Sequence, residues 1–214
     1  FYENLTTIEI EFMELYDMAS LPARLQHLKF IGTNVNDLSF LSTCPLLHHL
    51  DLGGSFAEAG EDDDDFEIYS LCNDETISPL SDISPLVILQ SLKYLNISCT
   101  SVANIQPLAQ CPALEEIVMC FTQVSDVSAL ASLSKLRIVN LEETQVTSVD
   151  ALKSCKLLQK LRISSTPVSN IDPLRFCERL EILDIRFTMV TRVFPLHSLP
   201  FLQKIYVNSV YVDE

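Results

Sequence analysis

One 22-residue block is written five times in succession from Leu92, and no other feature constrains the fold of this chain as tightly. The blocks read "LKYLNISCTSVANIQPLAQCPA", "LEEIVMCFTQVSDVSALASLSK", "LRIVNLEETQVTSVDALKSCKL", "LQKLRISSTPVSNIDPLRFCER" and "LEILDIRFTMVTRVFPLHSLPF". The frame runs backward to "LQHLKFIGTNVNDLSFLSTCPL" from Leu25 and, in a looser 20-residue form, to "LTTIEIEFMELYDMASLPAR" from Leu5. It runs forward into a half-repeat, "LQKIYVNSVYVDE", from Leu202. A unit this short cannot bury its own apolar face, whereas a stack of about nine buries one continuous core. Residues 1–214 are therefore expected to form a single domain.

The residues within a block say how it folds. In "LRISSTPV" Leu161 and Ile163 alternate with Arg162, the pattern of a short strand with one buried face. Strands stacked in this way pair in parallel. The Thr that follows can hydrogen-bond the backbone where the chain leaves the sheet, because a tight turn leaves amide groups in need of partners. In "SNIDPLRFC", Pro173 starts a short turn or 3₁₀ segment that points Ile171, Leu174 and Cys177 back to the core.

The pattern L-x-x-L-x-L-x-x-T-x-V resembles the leucine-rich repeat family over essentially the whole chain. The short period, with D-x-x-P-L or a variant in the second half, is most similar to the internalins and the regulatory subunit of protein phosphatase 1. Where those usually have Asn, this chain has Thr33, Thr100, Thr122, Thr144, Thr166 and Thr188, with Ser55 in the interrupted repeat. Thr at this position is similar to many kinetoplastid and some bacterial repeat proteins. The resemblance implies an α/β right-handed solenoid, with a parallel β-sheet on the concave face and short 3₁₀ or irregular turns on the convex face. It also implies a protein-interaction role without catalysis.

The block from Leu47 is the exception, since 45 residues separate it from Leu92. Its opening "LHHLDLGGS" and ending "DISPLVILQS" both fit the frame, so an insertion occupies about residues 57–79 of the third repeat. That insertion contains "EAGEDDDDFEIYSLCNDE", nine carboxylates with no Lys or Arg. Residues 1–91 carry seventeen acidic and two basic side chains, and the remainder twelve of each, for a net charge of −15. An acidic surface repels phosphate backbones, which argues against a nucleic-acid partner. The insertion reads as a solvated loop or as a docking element carrying Phe66, Ile68 and Tyr69. Asp62 to Asp65 lack the glycine and ligand spacing of a calcium loop.

Seven cysteines make no C-x-x-C or Cys/His pair, and four of them, Cys44, Cys111, Cys155 and Cys177, recur at one repeat position as small hydrophobes. This points to free thiols in a reducing, cytoplasmic or otherwise intracellular setting. The sequons at Asn4 and Asn96 keep secretion in view. No apolar run is long enough to cross a membrane. A start at Phe1 and an end in mid-pattern suggest a piece of a longer protein.

No catalytic or cofactor-binding motif stands out, and neither metal nor cofactor is expected. His27 and His49 share an outward strand column beside Lys29 and Asp51 and read as surface histidines. The informative positions are the outward columns, where packing does not dictate identity. The face presents Asn96, Cys99, Glu116, Cys120, Asn140 and Asp184 among others, and the candidate partner-binding set is Tyr94, Val118, Phe121, Ile138, Arg162, Ile182, Arg186, Phe187 and Tyr206. Phe121 and Phe187 stand just before the Thr, where a side chain can lean over the rim. The expected function is a scaffold or regulatory subunit holding a protein partner on the concave face. The alternatives are an internalin-like surface adhesin and the substrate-recognition domain of a larger enzyme. The last half-repeat leaves an edge strand, so self-association is a further expectation.

Overall fold

A computed structural model describes residues 3–14, 20–54 and 77–208. Nine strands, β1 (Thr7–Glu11), β2 (His27–Ile31), β3 (His49–Asp51), β4 (Tyr94–Asn96), β5 (Glu116–Val118), β6 (Ile138–Asn140), β7 (Lys160–Arg162), β8 (Ile182–Asp184) and β9 (Lys204–Tyr206), form one parallel sheet in sequence order. The register steps by one whole block: Tyr94 pairs with Glu116, Glu116 with Ile138 and Ile138 with Lys160. The opposite wall is a row of short 3₁₀ turns, among them Gln106–Gln110, Ser128–Ser132, Asp150–Ser154 and Asp172–Phe176. Between the walls lies one core, in which the block-opening Leu25, Leu47, Leu92, Leu114, Leu136, Leu158 and Leu180 are all buried.

Three recurring hydrogen-bond devices hold the stack. The first is the Thr row. The Oγ1 of Thr100, Thr122, Thr144, Thr166 and Thr188 donates to the carbonyl three residues back, on Ile97, Met119, Leu141, Ile163 and Ile185, at 2.6 to 2.8 Å. No backbone N–H among the described residues serves those carbonyls. The hydroxyl supplies the donor that the sheet ladder, already ended, does not.

The second device starts the 3₁₀ turns. Asp37, Asp82, Asn104, Asp126 and Asn170 each accept the N–H two residues ahead through a side-chain oxygen at 2.8 to 2.9 Å, and Ser148 does so at 3.2 Å. In the last full block that position is Arg192, which has no acceptor, and the turn that follows, Phe194–Leu196, is three residues long where the others have five. The third device is the sulfur row: the Sγ atoms of Cys111, Cys155 and Cys177 donate to the carbonyls of Leu86, Leu130 and Leu152 at 3.3 to 3.5 Å, tying these three blocks to the ones before them.

Seven of the strand exits pass through the left-handed region. Phe12, Gly32, Cys99, Phe121, Glu143, Ser165 and Phe187 occupy one repeat position with φ between 50° and 58°. Only one of the seven is glycine, and Phe12 makes it necessary there: a Cβ on Gly32 would lie 2.8 Å from the Phe12 ring.

The interruption resolves at Ser78, which bridges to Thr100 in parallel. Ser78 therefore holds this repeat's Thr position, and Leu80 and Ile83 are buried where Val102 and Ile105 are buried one block later. The frame resumes two residues earlier than the sequence count placed it.

Candidate protein-binding face

Two columns of side chains stand on the sheet face away from the core. The register sets the first as His27, His49, Tyr94, Glu116, Ile138, Lys160, Ile182 and Lys204. At its N-terminal end the rings stack. Tyr94 lies parallel to His49 with centroids 4.1 Å apart, and His27 follows at 5.6 Å. Burial, then the neighbouring His27 and Lys29, push the His49 pKa below that of an ordinary histidine. Glu116 is held above the ordinary carboxylate range because its burial outweighs the pull of Lys160. Ile138 and Ile182 are half-buried.

The second column, from Lys29 and Asp51 to Asp184 and Tyr206, divides by chemistry. Asp51, Asn96, Asn140 and Asp184 each accept the N–H two residues ahead, at 2.9 to 3.1 Å. Their polar ends close the strand-exit turn, so these outward positions are architecture. Gly53 makes room for one of them, since a Cβ there would meet the Asn96 amide at 2.7 Å. Val118 and Tyr206 carry no such bond and are half-buried.

Arg162 is the surprise of this column. It is 2% exposed, with Nη1 at 3.1 Å from Glu142 and Nε at 3.7 Å from Asp184. Asp184 also takes Arg186 through both oxygens at 2.8 to 3.3 Å, and the Arg186 guanidinium lies 5.3 Å from the Tyr206 ring centroid. Glu142, Arg162, Asp184, Arg186 and Tyr206 thus form one chain of contacts across four strand exits. Burial raises the Glu142 carboxyl against the opposing pull of Arg162.

At the rim the two phenylalanines differ. Phe121 is half-buried, while Phe187 is 70% exposed, its N–H bonded to Asn208 at 2.6 Å. Cys120 donates to Ser98 Oγ at 3.2 Å, and burial pushes its thiol up to about 12. Cys99 corrects the expectation of free thiols, for it is disulfide-bonded, while Cys44, Cys111, Cys120, Cys155 and Cys177 are free. Phe66, Ile68 and Tyr69 lie outside the described residues. Among the described residues no three His, Cys, Asp or Glu side chains gather as metal ligands would, and no helix is long and apolar enough to cross a membrane.

This geometry has counterparts of known structure. The internalin C2 of Listeria monocytogenes superposes with a TM-score of 0.80 at 20% identity, over 96% of this chain and 82% of that one. The fold is the leucine-rich repeat solenoid. The Listeria monocytogenes internalin InlF is similar over 99% of this chain and 69% of its own, with a TM-score of 0.64 at 21% identity. A plant peptide hormone receptor, RGFR1, solved in complex with RGF2, has a TM-score of 0.70 at 12% identity over 98% of this chain and 33% of its own. No family model and no curated protein matches the sequence.

Proposed function

We propose that this solenoid is a non-catalytic interaction module, an intracellular scaffold or regulatory subunit, that holds a protein partner on the outward face of its sheet. The observation that carries the reading is the run of Val118, Ile138, Ile182 and Phe187, apolar side chains held partly or largely exposed at positions where the core makes no demand. Tyr94, Phe121, Arg186 and Tyr206 complete the contact set, with Arg162 bracing it from beneath. Interfaces concentrate their energy in aromatic and arginine side chains of this kind. A solenoid of the same fold solved in complex with RGF2 supports the mode of use. The resemblance to phosphatase regulators nominates a phosphatase or a cytoskeletal enzyme as the partner.

The test is affinity capture with wild type against a Tyr94→Ser, Val118→Ser, Ile182→Ser, Arg186→Ala variant. Arg162 is left in place because it is buried. A variant with an unchanged melting midpoint that captures the same partner as wild type refutes the proposal.

The second reading, a surface adhesin, is favoured by Cys99, since a disulfide belongs to oxidising surroundings. The buried thiols are indifferent to compartment. Denatured without reductant, the protein then titrates fewer than seven thiols; all seven reacting would return the chain to a reducing compartment. Self-association belongs to the same proposal. Ile205, on the core side of β9, is 37% exposed and lines an end cleft of about 360 Å³ with Phe194 and Leu202. Light scattering in which Ile205→Lys leaves the measured mass unchanged removes that element.

A further inference from the structure

The rim where the chain enters its strands carries a cluster of cations. Lys135, Arg137 and Arg179 line a cleft of about 510 Å³ together with Glu115, Leu157 and Gln159. Three cations thus meet one carboxylate in a chain of net charge −15. That carboxylate is engaged already, with Lys93 Nζ 3.8 Å from Glu115. Arg137 Nε donates to a neutral acceptor, Gln159 Oε1, at 3.0 Å, and Gln159 in turn donates to Glu181 at 3.2 Å. The Arg179 guanidinium stands 5.1 Å from the Phe201 ring centroid. Among the described residues none of the three cations makes an ion pair, whereas Arg162 and Arg186 on the sheet face both do. Leu157, 47% exposed, adds an apolar patch to the cleft.

We propose that this lateral cleft binds an acidic peptide segment of a partner protein, its carboxylates on Lys135, Arg137 and Arg179 and an apolar side chain on Leu157. Guanidinium forks suit carboxylates, which they engage through paired N–H donors. The net charge of the chain does not defeat such a site. At physiological ionic strength charges beyond about 8 Å are largely screened, so a short acidic ligand responds to the local cluster. A long polyanion extends past the cluster and meets the acidic remainder of the surface, which disfavours nucleic acid. The site is separate from the sheet face, so the two proposals stand or fall independently.

The experiment is fluorescence anisotropy with a labelled Glu-Glu-Leu-Glu-Glu peptide and its Gln-Gln-Leu-Gln-Gln counterpart. The variants are Arg137→Gln with Arg179→Gln in the cleft, and Lys153→Glu on another surface as a charge-matched control. Wild type is expected to bind the Glu peptide saturably and the Gln peptide at least about tenfold more weakly, and the cleft variant to lose about tenfold or more. The control should stay within about twofold of wild type. The proposal is overturned by absence of saturable binding, by equal binding of the two peptides, by a cleft variant with unchanged melting that binds as tightly as wild type, or by an equal loss in Lys153→Glu.

Discussion

Replacing Thr166 by Val separates two accounts of why each block carries a Thr. The side chain is 3% exposed and its hydroxyl lies 2.6 Å from the Ile163 carbonyl. On burial alone, Val is the better residue, since it is nearly isosteric and adds apolar surface, worth about 0.5–1 kcal/mol. The hydrogen-bond account has the opposite sign. The Ile163 carbonyl receives no backbone donor among the described residues, and a buried acceptor left without a partner costs about 1–3 kcal/mol. At the middle of both ranges the difference leaves Thr166→Val destabilised by about 1 kcal/mol. Thr144, one rung earlier, has the same geometry at 2.7 Å, so Thr144→Val repeats the loss, and the double variant should lose at least the sum. Urea denaturation followed by circular dichroism reads this as a lower midpoint at unchanged slope. A Thr166→Val protein as stable as wild type, or more so, refutes the argument that the carbonyl needs the hydroxyl.

Phe187, left-handed at φ 57° and mostly exposed, should tolerate glycine within about 0.5 kcal/mol in thermal melts, whereas Phe187→Ile should lose about 1 kcal/mol, because a β-branched side chain fits that region worst. Because the Glu116 carboxyl is raised, its ionisation opposes folding at neutral pH; the wild type is relieved of this as pH falls toward the ordinary glutamate value of 4.5. Glu116→Gln should therefore melt higher than wild type at neutral pH, and the gap should close in acid; a gap that widens in acid contradicts the assignment. His49 has the reverse sign: its lowered pKa gives stability that is present above 6.5 and drains away as pH falls through the depressed value, a loss that His49→Phe should remove. Burial pushes the thiols of Cys111 and Cys155 up to about 11 and that of Cys177 up to about 12, so none should take up iodoacetamide at mildly alkaline pH until denaturant is added.

The frame and the Thr row are legible in the sequence because packing leaves those positions no choice: every block needs the same buried leucines and the same donor to one carbonyl. The outward columns are less so. Asn96, Asn140 and Asp184 share a strand face with residues that contact nothing below them, and alternation alone cannot tell a side chain that leaves the surface from one that folds back two residues. Their recurrence as Asp or Asn at one repeat position, with a second Asp or Asn row before the 3₁₀ turns, is the signal that reveals it. Arg162 looked exposed for the same reason. Its opposite charges are on adjacent blocks, with Asp184 one period ahead and Glu142 twenty residues behind, and the pairing shows only when the strands are laid side by side. Cys99 gave no sign, since an odd cysteine count does not reveal which of them is bonded.

The strictly sequential order of the nine strands also has a mechanical meaning. Each strand is bonded only to the strands of the blocks before and after it, so a force applied at the two ends loads the blocks in series. Unravelling a single block releases 22 residues, roughly 75 Å of contour at about 3.4 Å per residue, while its neighbours keep most of their own bonds. Such a molecule yields block by block from its ends and can regain each step alone. It behaves as an extensible spring, not as a brittle bead.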